Sequence, residues 1–384
     1  MNICLVNLDF KPHRTSGLAV YGELLADGLR AAGHQVTVVA SRRGEAPAQQ
    51  TIDGIRVFRV PIGMTDWVGF AYRAARQVEK LQRVQGFDIV HFLDLHFAYA
   101  YHGDYIASLF QSFQQRLHVK GNVPYYHSLR NLAFRYTYYT LASLTLERWA
   151  AARVKAILAA SHAARDAYIR YYSADEERIF VVPLGIDISQ YYPRDSSELR
   201  IALGLEGKQV LLYVGFSTPR KGLEYLGQAL ESLGTNCRLL IVGKWEPGYR
   251  EKFRRSLSAH SQARLLETGY VPDEALPAYY SLADVFVLPS LLEGFGLPLV
   301  EAMACETPVV ASNAGSIPEI VGDAGILVPA MDSDALAKAL QRLLTDERLR
   351  HALGARGRSR VQRLYTKEKM VAHTLEVYQM YLNR

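Results

Sequence analysis

Residues 289–312 read PSLLEGFGLPLVEAMACETPVVAS. Glu293 and Glu301 stand eight positions apart around Gly-Phe-Gly-Leu-Pro, and the stretch lies between the apolar runs of DVFVLPS (284–290) and TPVVAS (307–312). Pro298 is tolerated in the first turn of a helix and disfavoured deeper inside one, so a helix is expected to start there and cover LVEAMAC. Glu293 then belongs to the loop and Glu301 to the helix. Gly294 and Gly296 let backbone approach a ligand closely, and the amides that open the helix form an anion site through geometry and dipole together. Taken alone, Glu301 reads as an acid of the first helical turn, contributing about 0.3–1 kcal/mol against the macrodipole, and Glu293 as a solvated loop acid. Together, after a strand and around a glycine-rich bend, they bracket a place for a phosphate.

Working outward, the same strand, loop and helix order recurs. ICLVNL (3–8) leads through Ser16-Gly17 into the amphipathic LAVYGELLADGLRAAG, closed by Gly33. QVTVVA (35–40), GIRVFRV (54–60), DIVHFL (88–93), VPYYH (123–127), KAILAAS (155–161) and RIFVVP (178–183) continue the series, mostly separated by helical patterns. Periodicity lapses across PLGIDISQYYPRDSSE (183–198), and a second series opens with QVLLYVGF (209–216), followed by CRLLIVG (237–243), ARLLETG (263–269), the two runs flanking the opening stretch, and GILVP (325–329). Such alternation predicts parallel sheets covered on both faces. The expected fold class is therefore α/β with two Rossmann-like domains. Their bounds are 1–185 and 186–365, with a terminal helix over 366–384 packing back on the first.

The 384 residues, 49% hydrophobic and 21% charged, can bury a large core and exclude disorder as the default. Lys and Arg exceed Asp and Glu by 44 to 38, which suits an anionic partner without naming it. Cys4, Cys237 and Cys305 are odd in number and lie in apolar surroundings, without the spacing of a metal site or the density of a disulfide framework, so a reducing compartment is expected. The opening MNICLVNLDF has no basic n-region, and no apolar run approaches the ~18 residues that span a bilayer. The expectation is a cytoplasmic protein, soluble or peripheral at the inner face of the membrane.

EGFGLPLVE fits the E-x7-E motif of retaining glycosyltransferases with the GT-B fold, and its continuation, AMACETPVVASNAGSIPEIVGDAGILVP, resembles glycosyltransferase family 4. VPLGIDISQYY is similar to that family's domain junction, YVGFSTPRKGLEYL to its phosphate-binding loop, and TGYVPDEALPAYYSLADVFVLPS to the run leading into the motif. The resemblance implies parallel sheets facing across a cleft. It implies that Glu293 contacts a donor sugar, Glu301 the nucleotide ribose, and the backbone of Gly294, Phe295, Gly296 and Leu297 the sugar and phosphate. Lys221 in PRKG is implied to pair with the diphosphate, where fixed cations favour the charge that develops as the glycosidic bond breaks. Gly17, Gly215 and Val271 are implied to be donor-binding, and His127 to line the reaction cleft. Relatives often carry Arg after the loop's first glycine; here Phe216 follows Gly215, and Arg220 is the nearest replacement. Leu184, Glu306 and Ser16 depart from Asn, Gly and Gly in the same way.

No metal or other cofactor is expected. His91, Asp94 and His96 in HFLDLH are conceivable ligands, but strand-end histidines are more often hydrogen-bonded structural residues. Between positions 116 and 155, Arg116, Lys120, Arg130, Arg135, Arg148, Arg153 and Lys155 face the single acid Glu147, with Tyr125, Tyr126, Tyr136, Tyr138, Tyr139 and Trp149 interleaved. That composition suits an anionic membrane, each basic residue adding about 1 kcal/mol near the surface, or equally a packed helix with a solvated cationic face. Nucleic acid is not expected, since no recognised binding motif accompanies the charge. The function implied is transfer of a hexose from a nucleotide sugar, GDP-mannose before UDP-glucose, to a hydroxyl of a glycan or lipid-linked acceptor. The alternatives are a phosphorylase on the same fold and a non-catalytic membrane-surface-binding protein.

Overall fold

The computed structural model describes residues 1–13, 16–62, 67–119 and 129–383, in two compact units. The first holds Met1–Leu117, Thr137–Gly185 and Thr366–Arg384, the second His118–Tyr136 and Ile186–Tyr365. VPYYH, with His127, and also Lys120 lie outside the described residues.

The first unit is built on β1 (Asn2–Val6), β2 (Gln35–Arg42), β3 (Gln49–Ile52), β4 (Ile55–Pro61), β5 (Ile89–Phe92), β6 (Ile106–Leu109), β7 (Ala156–Ala159) and β8 (Ile179–Val181). Their order in the sheet is β3-β4-β2-β1-β5-β6-β7-β8, parallel except for the β3–β4 pair. All four residues of β5, β6 and β7 are buried, His91 and Ser108 among them, as residues on both faces of a strand are when helices cover both faces of a parallel sheet. One of those helices, Trp67–Gln85, turns Phe70, Ala71, Ala74, Val78 and Leu81 inward at helical spacing.

β3 and β6 are additions to the expected strands. β3 is the polar QQTI, which exists because Asp53 (φ 49°) and Gly54 (φ 79°) form a tight turn that folds it onto β4. The last helix, Lys367–Leu382, belongs to the first unit and lies against the helix Gly17–Ala31 so closely that a Cβ on Gly28 would stand 2.3 Å from Val371 Cγ2. Its Tyr378 hydroxyl is 2.7 Å from His91 Nδ1 on β5.

The second unit contains β9 (Gln209–Val214), β10 (Cys237–Val242), β11 (Leu265–Gly269), β12 (Val285–Leu288), β13 (Val309–Ser312) and β14 (Gly325–Val328). All pairs are parallel, in the order β11-β10-β9-β12-β13-β14. Val285, Phe286, Val287 and Leu288 are wholly buried, and each such side chain contributes about 1.5–3 kcal/mol of hydrophobic stabilisation. The chain winds from β9 out to β11 and then returns to β12 on the other side of β9. The loops after β9 and β12 therefore flank the point where strand order reverses, at whose carboxyl ends open parallel sheets bind ligands.

Candidate active site

The two loops at that reversal are locked together by backbone. After β9, the single turn Pro219–Lys221 ends at Gly222 with φ 65°, and a Cβ there would lie 2.2 Å from the Pro289 carbonyl oxygen after β12. The Leu291 amide donates to the Arg220 carbonyl at 2.8 Å. This docking delivers Lys221 to Glu293, with Nζ donating to Oε1 at 2.5 Å, and Ser290 Oγ donates to the same oxygen at 2.7 Å. Arg220 donates Nη1 to the Leu292 carbonyl and stands 3.8 Å from Glu293 Oε2. Glu293 is only 8% exposed. Burial pushes its carboxyl up, but Lys221 and then Arg220 outweigh that and hold it below the usual carboxylate range.

Beyond Glu293 the chain bends through Gly296, whose φ of 99° favours glycine, into the helix Leu297–Ala304. Ser316 Oγ, after β13, donates to the Phe295 carbonyl at 3.0 Å and fixes the bend from the other side. The backbone N–H groups of Gly294, Phe295, Gly296 and Leu297 meet no acceptor among the described residues. Four unclaimed donors at a helix start, beside two cations, can hold an anion.

Pro298 is the second residue of this helix, so Glu301 falls in its second turn. The first-turn macrodipole reading of Glu301 does not hold. Glu301 is 7% exposed, and its Oε2 accepts the Tyr280 hydroxyl at 2.6 Å. Burial pushes its carboxyl up to about 7, with Tyr280 and Tyr191 pulling down and Asp273 pushing up.

Of the other expected residues, Gly215 directly follows β9 with φ 147°, and Phe216, in the place of the family's arginine, is 52% exposed. Val271 is buried just after β11, two strands from β9. Gly17 opens a helix of the first unit, and His127 lies outside the described residues. Glu306 holds φ 58°, the left-handed backbone that explains why Gly is common there. Ser290, Ser316, Tyr191 and Tyr280 were not anticipated. Only Ser290, three residues before Glu293, sits close enough in sequence to have signalled its role.

The histidines of HFLDLH are structural. His91 lies between Tyr378 and Ser108, and burial lowers it to about 3. His96 lies 2.6 Å from Asp94 and 3.3 Å from Glu147; burial pulls it down, but those two carboxylates raise it to about 9. No group of three or more residues suited to a metal ion occurs among the described residues. Glu147 also accepts the Tyr172 hydroxyl and the Phe113 amide, so the one acid of the basic segment points inward. Tyr139 stacks on Phe113 at 5.4 Å, which places part of the aromatic series in the interior, whereas Leu141, Leu144 and Trp149 remain exposed. No helix among the described residues is long and apolar enough to cross a membrane.

Residues 195–360 match the family described as Glycosyl transferases group 1, and residues 15–190 match Glycosyltransferase Family 4. The chain is 35% identical to O-antigen chain mannosyltransferase B of Escherichia coli over 59% of its own length and 61% of that relative's, less than two thirds. It is 30% identical to D-inositol 3-phosphate glycosyltransferase of Xylanimonas cellulosilytica over 94% of this chain and 91% of that one. Its fold is similar to that of sucrose-phosphate synthase from Thermosynechococcus elongatus, with a TM-score of 0.85 and 23% identity over 100% of this chain and 99% of that one. The 30% identity across nearly the whole of both chains, with the two matches that together run from residue 15 to 360, establishes that the chain belongs to glycosyltransferase family 4 and is a glycosyltransferase.

Proposed function

We propose that the enzyme transfers a hexose from a nucleoside diphosphate sugar to an acceptor hydroxyl with retention at the anomeric carbon. One observation carries the reading: a buried Lys221–Glu293 pair 2.5 Å apart beside four unclaimed helix-start amides, at the strand-order reversal of the second sheet. The diphosphate sits on the amides of Gly294–Leu297 with Lys221 and Arg220 beside it. Glu293 faces the sugar and Glu301 the ribose. Gly215 and Val271, which follow β9 and β11 of the second unit, line the same donor site. As the bond from the anomeric carbon to the diphosphate oxygen breaks, that oxygen takes the electron pair, and the two cations stabilise the charge. The departing phosphate accepts the proton of the acceptor hydroxyl, whose oxygen bonds to the anomeric carbon on the same face. Lys221 and Arg220 supply the positive charge, so no metal is assigned to the step. GDP-mannose is favoured as donor, then UDP-glucose, a preference that the identity to a mannosyltransferase supports. The acceptor is a glycan or a lipid-linked glycan.

The test is nucleotide release from GDP-mannose and UDP-glucose with chelator present, in the parent and in Glu293→Ala. Release only from the parent is expected. Phosphate-dependent turnover without nucleotide would indicate a phosphorylase instead.

An anionic membrane is proposed as a second partner, at the inner face of the cell membrane. Leu141, Leu144 and Trp149 are exposed beside Arg148 and Arg153, while Glu147 is withdrawn inside. Co-sedimentation with vesicles rich in phosphatidylglycerol, but not with phosphatidylcholine alone, is expected and is lost in Trp149→Glu; equal behaviour with both lipids contradicts it.

A further inference from the structure

The two acids of the motif are held in opposite ways. Glu293 has two cations beside it, whereas Glu301 has no ion pair to Lys or Arg among the described residues. Two phenols stand by Glu301 instead: Tyr280 Oη donates to Oε2 at 2.6 Å, and Tyr191 approaches the same carboxylate. Tyr280 is wholly buried, its ring edge-on to Phe286 of β12 at 5.6 Å and 6.2 Å from the Tyr191 ring, and its carbonyl accepts Thr307 Oγ1 at 2.7 Å. Phenylalanine would fill the same space, so the hydroxyls exist for the carboxylate. A buried acid without a cation is a costly stability device, since an ionised carboxylate needs partners for every lone pair it presents.

We propose that Tyr280 and Tyr191 are positioning residues for the donor, holding Glu301 so that the protein occupies Oε2 and Oε1 is left to accept the ribose hydroxyls of a nucleoside diphosphate sugar. This rests on the donor-site reading above. The groups facing Glu301 are Tyr280 on the helix Leu276–Leu282, Tyr191 and Asp273 on loops, and Cys305 at the end of its own helix. None is cationic. Removing a phenol therefore makes the ionised form harder to keep, and donor affinity moves to higher pH.

The experiment is calorimetric titration of GDP and UDP into the parent, Tyr280→Phe and Tyr191→Phe between pH 6 and 9, with thermal melting of each protein and kcat at saturating donor. We expect Tyr280→Phe to bind about fivefold more weakly at pH 7, as a one-unit displacement of a carboxyl held near 7 implies. Binding should recover near pH 9, and kcat should change less than twofold. Tyr191→Phe should show the same displacement, smaller, and carries the test should Tyr280→Phe fail to melt cooperatively. Parent-like affinity and pH profile, or a loss equal at every pH, would overturn this inference while leaving the donor site intact. Absence of nucleotide binding by the parent would overturn the donor reading and this inference with it.

Discussion

Replacing Lys221 by Met removes the closest partner of a carboxylate that is 8% exposed. Breaking a buried pair from one side costs about 3–5 kcal/mol, because the remaining charge stays desolvated. Ser290 at 2.7 Å and Arg220 at 3.8 Å continue to serve Glu293, which places the cost near the lower bound, about 3 kcal/mol. For a unit of this size each kcal/mol corresponds to about 2–4 °C, so the melting transition of the second unit should fall by about 6–12 °C. Glu293→Gln keeps a partner for Ser290 and removes the charge. The double variant should consequently be more stable than Lys221→Met alone, with a coupling energy of about 2 kcal/mol. Differential scanning calorimetry is the appropriate assay, because the two units can melt separately. Losses that add to within about 0.5 kcal/mol would refute the pairing.

Further expectations follow from other contacts. Glu293 is depressed in the folded state, so its stabilisation is present above the ordinary glutamate value of about 4.3 and is lost as pH falls through its folded value. Glu293→Gln should therefore flatten the acid limb of melting temperature against pH. His96 is raised to about 9, so its contribution is whole below about 6.5 and lost as pH rises through 9. His96→Gln should abolish that alkaline loss in the first unit and destabilise it at pH 7 by about 3 kcal/mol, as Asp94 and Glu147 are left buried together. Gly222→Ala must place a Cβ 2.2 Å from a backbone oxygen at φ 65°. A loss of at least about 2 kcal/mol is expected by urea unfolding, with nucleotide release falling because the Lys221 loop can no longer seat.

Most strands of the two sheets were legible because they are short, largely apolar runs; β3 and β6 were not, β6 because IASL is only four residues long with Ser108 inside it, and β3 because QQTI carries no such signal and only the Asp53-Gly54 turn betrays it. The bend around Gly294 and Gly296 and the PRKG loop were readable because each places its chemistry within a few residues. What joins them was not readable. The contact between Gly222 and Pro289 depends on β9 and β12 being neighbours, which no local pattern states. Tyr191 and Tyr280 likewise carry no local signal of a role, which emerges only when the fold brings the Tyr280 hydroxyl to the buried Glu301 with the Tyr191 ring beside it. Glu147 stands in the sequence simply as the single acid among the basic residues of 116–155, and only the fold makes it the interior partner of His96.

The most direct measurement is nucleotide release by the parent protein across a panel of nucleoside diphosphate sugars, alongside Glu293→Ala and Lys221→Met. The account predicts release from GDP-mannose or UDP-glucose, insensitive to chelator, with each variant slower by about 100-fold or more. Release from no donor, or variants that turn over like the parent, would contradict it.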